Sequence, residues 1–440
     1  IPRLFTELPP ISDSLVTDSS RIQDETLRAV LPWLTLRGNQ ITDFNSFGIP
    51  ALQRRYHASF LNSALEDYPS KFTLMDASRP WFMYWALAGL SFLGEDIDEY
   101  RDRTIYTLDA CQNLSGGYGG GHGHYAHLAT TYATVLALCM VGGRDAYDSI
   151  DRKAMWHWIG SMKQRDGGFT MCTGGEQDVR GAYCAMTIIA LLNLPLDLPP
   201  GAPAKVQGHE TFLTGLGNWI SRCQSYEGGI GASPGNEAHG AYAFCGLACL
   251  CIIGPPHETI PKYLDIPSLL SWMSSRQQAP EGGFTGRTNK LVDGCYSHWV
   301  GGTWTLLEAA LAGSSGVTDP IIAGAIEKGL WSREGLTRWI LCAAQNKKGG
   351  LRDKPGKPPD AYHSNYNLAG LSAAQHHYTY DQSFETALEG ALEAPFKWVI
   401  GRQEPEGEEK VWDRRDEVED VHPVFVVPWG AAELMRRYFE

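Results

Sequence analysis

The chain has 440 residues, 43% of them hydrophobic, and a formal net charge of -13. That is enough apolar material for a large core, and length alone allows two or three domains. The acidic balance excludes a general nucleic-acid surface, because tracking a phosphate backbone takes a basic stripe; a local basic pocket stays open.

Residues 1–65 carry amphipathic segments without any repeat and are expected to form an N-terminal helical arm on a single domain spanning 66–440. Glu95-Asp96-Ile97-Asp98-Glu99 has the look of an acidic diphosphate–magnesium motif. Acidic residues at a helix start are also favoured by the helix dipole, and that reading is preferred. Next comes a recurring unit: a glutamine, a short polar stretch, Gly-Gly, then an aromatic or aliphatic residue. It appears from Gln112 to Tyr118, Gln164 to Phe169, Gln224 to Ile230, Gln277 to Phe284 and Gln345 to Leu351, with a decayed copy at Gln403 to Gly407. Repetition on this scale marks a repeat architecture.

Each copy follows a helix-like run with apolar residues three and four apart, as in Trp156–Met162, Phe212–Arg222 and Ile266–Ser275. Each precedes a second run that is apolar on most faces and should be buried: His127–Met140, Ala182–Leu192, Ala241–Ile253, Trp304–Leu311 and Asn367–Gln375. Few stretches alternate as strands do. Two helices per unit and about six units predict an all-α, closed ring of hairpins. Its inner helices should line a central funnel, with the Gly-Gly loops at one end. The charged stretch 404–416 reads as a surface loop.

Ten cysteines include no Cys-x-x-Cys pair. Most sit in apolar surroundings, where free cysteine behaves as a small hydrophobe, so a reducing compartment fits better than a disulfide framework. Apolar runs such as Thr134–Val141 are too short to cross a bilayer, and Ile1-Pro2-Arg3 opens no signal segment. A cytoplasmic protein without a membrane span is expected.

The window from Gly286 to Tyr296 holds the densest chemistry. Arg287 and Lys290 precede Asp293 and Cys295, a hard and a soft metal donor separated by one glycine. Downstream, His363 offers an imidazole that could complete a site. Zinc accepts such O, S and N ligands, and three protein ligands leave one position open for a substrate. The two cations would stand beside that position, where an anion could bind. The same window also reads as a solvated turn followed by a core cysteine. His122-Gly123-His124 and His127 look like a metal cluster, but they follow a glycine-rich loop that would hold ligands poorly. Glu176 and Asp178 could pose as the carboxylate pair of a helical-barrel glycosidase, yet they leave Arg287, Lys290 and Cys295 unexplained. A terpene cyclase would need an Asp-x-Asp-Asp acid, which is absent. A non-enzymatic helical scaffold should carry no stoichiometric zinc.

Six phrases in order settle among these. They are Asp76 to Trp85, His127 to Tyr132, Asp178 to Cys184, Glu237 to Cys245, Gly286 to Trp299, and Asp353 to His363. Together with the repeats they resemble the protein prenyltransferase beta-subunit family, the farnesyl-transferring branch most closely. The resemblance runs from about residue 70 to 430. It implies an alpha-alpha toroid and a heterodimer with a separate alpha subunit. It implies transfer of a farnesyl group from farnesyl diphosphate to a cysteine thiol in proteins ending in Cys-aliphatic-aliphatic-X, through a zinc-bound thiolate.

Residue by residue, the resemblance puts zinc on Asp293, Cys295 and His363, and magnesium on Asp353 beside the diphosphate. His239, Gly240, Ala241, Arg287, Lys290 and Tyr296 match the diphosphate pocket, with Lys290 and Tyr296 assisting departure of the leaving group. Trp81, Tyr132, Arg180, Tyr183, Tyr242, Cys245, Trp299 and Tyr366 match the isoprenoid wall. In the family a bulky residue at the Trp81 position shortens the pocket to 15 carbons. Ser78, Trp81, Trp85, His127, Ala129 and Tyr362 match the peptide pocket. The chain departs from the family pattern at Thr130, His298 and Asn365, where proline, an aromatic and a small residue or cysteine are common.

Overall fold

The computed structural model describes residues 15–38, 40–312, 329–381, 392–401 and 410–440. The decayed repeat copy and residues 404–409 of the charged stretch lie outside them. Six inner helices form the ring: Arg79–Phe92, Leu128–Val141, Val179–Leu191, Gly240–Ile253, Gly301–Ala312 and Ala361–Gln375. Each packs on the next, and the last packs on the first. They are as apolar as the sequence predicts; in Leu128–Val141 only Ala129 and Met140 escape full burial. Outer helices surround them: Arg54–Ser63, Arg101–Asp109, Arg152–Met162, Leu216–Cys223, Ile266–Ser274, and Arg333–Arg338 continuing through Trp339–Ala344. The first five bury one stripe only, whereas 333–344 is buried all round. Leu216–Cys223 turns Leu216, Trp219, Ile220 and Cys223 inward, the spacing of an amphipathic helix. The architecture is an alpha-alpha toroid.

The repeat fastens each loop to the next outer helix. A Cβ on the first glycine of each pair (Gly116, Gly167, Gly228, Gly282, Gly349) would lie 2.0–2.3 Å from a carbonyl oxygen of that helix. All five have φ between +79° and +105°, a region costly for residues with a Cβ. A Cβ on the second glycine would enter an aromatic ring: Trp158 for Gly117, Trp219 for Gly168, Trp272 for Gly229, Trp339 for Gly283 and Phe60 for Gly350. The glutamine bonds backbone just ahead of the same helix. Gln224 Nε2 donates to the Asp265 carbonyl (3.0 Å) and Gln224 Oε1 accepts from the Asp265 N–H (2.8 Å). Gln277 does the same with Ser332, and Gln112 donates to the Ser149 carbonyl. In the second copy Lys163 takes this role, donating to the Phe212 and Gly167 carbonyls at 2.7 Å each.

The fifth copy reaches back to the N-terminal segment. Gln345 Oε1 accepts from the Gln53 N–H, and Gly349 and Gly350 rest on Tyr56 and Phe60. Helix Arg54–Ser63 therefore holds an outer place in the ring, while Asp18–Leu34 lies against Trp339–Ala344.

The sequence shows little strand pattern, yet two short antiparallel pairs form: Leu351–Arg352 with Pro359–Asp360, and His377–Tyr380 with Trp398–Gly401. Runs of two to four residues are too short for alternation to register. No helix among the described residues is long and apolar enough to cross a membrane.

The C-terminal segment closes the far end of the ring. Glu419 N–H donates to the Phe92 carbonyl, Ser372 Oγ to the Glu419 carbonyl and Gln375 Nε2 to the Asp416 carbonyl. Arg436 donates to the Ala190 carbonyl. Every one of these partners lies near the C-terminal end of an inner helix, so the N-terminal ends surround the open mouth.

Candidate active site

The residues just ahead of the inner helices are polar, and most do two jobs. In the turn ahead of the short helix Tyr296–Trp299, Asp293 Oδ1 accepts from the Cys295 N–H; at the inner helices themselves His127 Nδ1 accepts from the Ala129 N–H, Asp178 Oδ1 from Arg180, His239 Nδ1 from Ala241 and Asp360 Oδ1 from His363. Such caps satisfy amides that a helix start leaves without intrahelical partners. They also gather polar side chains around the mouth.

Asp293, Cys295 and His363 meet there. One ligand atom from each lies within 4.8 Å of the others, and His363 Nε2 stands 3.2 Å from Asp293 Oδ1. Cys295 is buried; Asp293 and His363 are half-buried. Asp360 Oδ2 is 2.7 Å from His363 Nδ1, so one carboxylate caps the helix and fixes the ring that faces Asp293. Burial pushes the Cys295 thiol well above its usual value, and the Asp293 charge adds to this. Burial alone would lower His363, but hydrogen bonds to Asp293 and Asp360 lift it to about 9. Burial likewise opposes ionisation of Asp293, and the bonds from His363 and the Cys295 amide outweigh it, leaving its pKa lowered. One hard, one soft and one imidazole donor at this spacing form a set that suits a divalent ion such as zinc.

Beside the cluster, Tyr296 OH lies 3.1 Å from His239 Nε2. Because His239 Nδ1 accepts an amide hydrogen, its neutral ring carries the proton on Nε2 and can donate to Tyr296 or to an anion. Burial and Arg287 both lower the His239 pKa, keeping it neutral. A Cβ at Gly286 would overlap the Tyr296 ring at 2.1 Å, so only glycine lets this tyrosine approach. Arg287 is held by Glu237 at 2.6 Å, a partner that no local sequence signal identifies. Lys290 is exposed and follows Asn289 at φ +59°. Asp353 is half-buried and bonded to Lys354; burial and the neighbouring Asp293 raise its pKa. Its carbonyl accepts from the Gly294 N–H at 2.7 Å, which ties it to the Asp293–Cys295 turn.

Below the mouth seven of the predicted aromatic residues form a closed loop of rings together with Phe244, while Tyr242 meets His239 instead. Trp81 stacks on Trp85 at 5.5 Å, Trp85 meets Tyr362 at 5.3 Å, and Tyr362 meets Tyr366 at 4.9 Å. Tyr366 contacts Trp299 at 4.5 Å, and Trp299 contacts Phe244 at 5.6 Å. Phe244 meets Tyr183 at 5.7 Å, Tyr183 meets Tyr132 at 5.4 Å, and Tyr132 returns to Trp81 at 5.9 Å. Phe244 was not singled out in the sequence; its place two residues after Tyr242 on a fully apolar helix gave no signal. Trp299 Nε1 donates to Tyr362 OH, joining this wall to the helix that carries His363.

Arg180 is fixed by Asp178, with Nε to Oδ2 at 3.0 Å, and its guanidinium lies 5.9 Å from the Tyr242 ring centre. That pairing occupies Asp178, so the carboxylate pair with Glu176 is not free for glycosidase chemistry. Cys245 is buried, and Gly240 packs on Val300. Ala241, Ala129 and Ser78 are half-buried; Ser78 precedes helix Arg79–Phe92 without capping it by its side chain. Of the other histidines, His122 is exposed and His124 pairs with Asp76; neither joins the Asp–Cys–His cluster. Asp98 pairs with Arg101 at the start of helix Arg101–Asp109, as the helix-start reading of that acidic run requires.

A family model described as the prenyltransferase alpha-alpha toroid domain matches residues 52–427. The chain is 50% identical over 444 residues to a protein farnesyltransferase subunit beta of Pyricularia oryzae, a match covering 100% of this chain and 84% of that relative. It is 33% identical over 424 residues to the protein farnesyltransferase subunit beta of Schizosaccharomyces pombe, covering 96% and 97%. In fold it is similar to a Candida albicans protein geranylgeranyltransferase-I complexed with GGPP. The TM-score is 0.62 at 20% identity, covering 89% of this chain and 100% of that one.

Proposed function

The chain belongs to the protein farnesyltransferase beta-subunit family, a family of transferases, and we propose that with an alpha subunit it moves a farnesyl group from farnesyl diphosphate to the cysteine thiol of a protein ending in Cys-aliphatic-aliphatic-X. The observation that carries this reading is the Asp293–Cys295–His363 cluster set at the mouth of a funnel walled by a closed loop of aromatic rings. A metal-ligand set alone would suit many reactions. An aromatic sleeve alone would suit many apolar ligands. Their adjacency suits a thiol acceptor meeting an isoprenoid donor.

Asp293, Cys295 and His363 would hold zinc. When bound, zinc would lower the pKa of the acceptor thiol so that it is present as thiolate at neutral pH. The chain's own groups do the rest. Asp360 orients His363. Tyr296, His239, Arg287 and Lys290 face the developing charge of the diphosphate, where preplaced donors act most strongly; a lysine of the alpha subunit would complete this pocket. The ring of aromatics excludes water and buries the isoprenoid, at about 0.8 kcal/mol per methylene. Trp81 limits the length that fits, which favours a 15-carbon donor. Ser78, Trp85, His127, Ala129 and Tyr362 would shape the seat of the peptide's last residues. Asp353 would help place magnesium on the diphosphate once Lys354 releases it.

The test is zinc content and prenyl transfer by the co-expressed heterodimer, using 15- and 20-carbon diphosphates and a Cys-aliphatic-aliphatic-X peptide. One zinc with preferential 15-carbon transfer is expected. Preference for the 20-carbon donor would overturn the use of Trp81; absence of both zinc and transfer would overturn the whole reading.

A further inference from the structure

The far wall of the funnel is not made by the inner helices alone. The turn at 421–428, fully buried from Val421 to Val427, rises inside the ring. Its backbone carbonyls hold two tyrosines from below. Tyr84 OH donates to the Val426 carbonyl at 2.9 Å, and Tyr183 OH donates to the Val424 carbonyl at 2.7 Å. Tyr183 OH is also 3.1 Å from Tyr132 OH. Tyr84 lies eight residues before Phe92, where its helix ends, so the backbone of Tyr84 stands about 12 Å inside that end at 1.5 Å per residue.

The turn is held in an unfavourable shape. Val426 has φ +59°, a region that β-branched residues rarely occupy. Such strain persists only where surrounding contacts over-determine it, and here they do. His422 Nδ1 accepts from the Val424 and Phe425 amides at 3.2 Å each. Its Nε2 then carries the proton and donates to the Pro395 carbonyl at 3.0 Å. The His422 carbonyl accepts from the Val426 amide, and the Val427 carbonyl accepts from the His422 amide.

What the turn supports is the part of the wall expected to set donor length. The Tyr84 ring meets Trp81 edge-on at 5.9 Å and Tyr132 at 6.2 Å. We propose that the 421–428 turn is a length-setting floor, which fixes Trp81 and Tyr132 through Tyr84 and Tyr183 and so selects the shorter isoprenoid donor. Tyr84 and His422 are positioning residues in this scheme; neither belongs to the loop of rings that would touch the donor. The inference rests on the farnesyl-transfer reading above.

The experiment uses the heterodimer with Tyr84→Phe, which keeps the ring and removes the bond to Val426, and His422→Asn, which loosens the turn from the side away from the funnel. The readout is the ratio of kcat/KM for the 15-carbon donor to that for the 20-carbon donor, alongside the thermal midpoint. Each variant is expected to lower the ratio about fivefold, the scale of one buried hydrogen bond, mainly through better use of the longer donor. A purely structural role would depress both donors alike and leave the ratio intact. Folded variants with the native ratio would overturn the floor, whereas a native enzyme that transfers neither donor would overturn the functional reading beneath it.

Discussion

Asp360→Asn separates two roles that one side chain combines. Oδ1 accepts from the His363 amide at 2.7 Å and Oδ2 faces His363 Nδ1 at 2.7 Å. Asparagine caps helices as well as aspartate does, so its oxygen can keep the amide bond of helix Ala361–Gln375. Its NH₂ then faces Nδ1, and a donor there cannot accept the ring proton. To bind it, His363 must shift the proton to Nε2, the nitrogen that faces Asp293. That is the wrong tautomer for coordination. Loss of such an orienting partner typically weakens metal binding 10–100-fold, or about 1.4–2.7 kcal/mol. The loss of stability without metal should be small above pH 9, a few tenths of a kcal/mol, because the cap survives and His363 is neutral there; near neutral pH the charged ring also loses its pairing with Asp360. Competition against a chromophoric chelator gives the zinc affinity, and thermal unfolding of the metal-free heterodimer gives the stability. Asp360→Ala serves as the control that loses both roles. Unchanged zinc affinity in Asp360→Asn would refute the argument that Oδ2 orients His363; a large loss of metal-free stability above pH 9 would refute the separation.

At pH 7.5 the metal-free site holds protons on both Cys295, raised well above its usual value by burial, and His363, raised to about 9. Zinc must displace both, so binding should release about two protons. Calorimetry in buffers of different ionisation enthalpy measures this, and release of none would show that the ligands are misassigned. Trp81→Thr should admit a 20-carbon donor, since one more isoprene unit offers up to about 4 kcal/mol of burial once space exists; continued exclusion in competition assays would count against Trp81 as the limit. Burial lowers the Lys163 pKa to about 7. Below pH 7 the folded chain bears the full cost of its charge. From pH 7 towards 10.5 the folded chain sheds a proton that the unfolded chain keeps, so this group's contribution to stability rises with pH. The stability difference between Lys163→Met and the native protein should therefore shift against the variant across that window, by up to about 1.4 kcal/mol per pH unit. Urea unfolding at pH 7, 8 and 9 measures it, and parallel curves would show that Lys163 stays charged.

Much of the fold was legible because it is repetitive. The Gln and Gly-Gly positions recur since each must meet the same next helix, at a distance where only glycine fits. The Asp-x-Cys window and the remote histidine were legible as donor types, and the fold brings them within 4.8 Å. What the sequence could not show were pairings between loops far apart in the chain: Glu237 with Arg287, or Gln345 with the segment ahead of helix Arg54–Ser63. Nor could it show the floor, because Val424-Phe425-Val426-Val427 reads only as an apolar run. Its φ of +59° at Val426 is imposed by His422 and Pro395, which no local propensity encodes.

The toroid also explains why the chemistry sits where it does. A ring of hairpins must present the starts of its inner helices around one rim, and each start needs an acceptor for its free amides. Asp, Asn, Ser and Thr supply that acceptor in most helices; here His127 and His239 do so with Nδ1, and His239 meets Tyr296 OH with Nε2. Asp293 holds the Cys295 amide with the carboxylate oxygen that also faces His363, and Asp360 caps with one oxygen while orienting His363 with the other. Part of the site is thus made from capping residues, His239 and Asp360, whose second polar atom meets another site residue. Two consequences follow physically. Removing a site residue such as Asp293 should cost stability as well as metal affinity, since the bond to the Cys295 amide goes with the ligand. A substitution that spares the cap and changes only the second valence, as Asp360→Asn does, should change function with little change in folding at a pH where His363 is neutral.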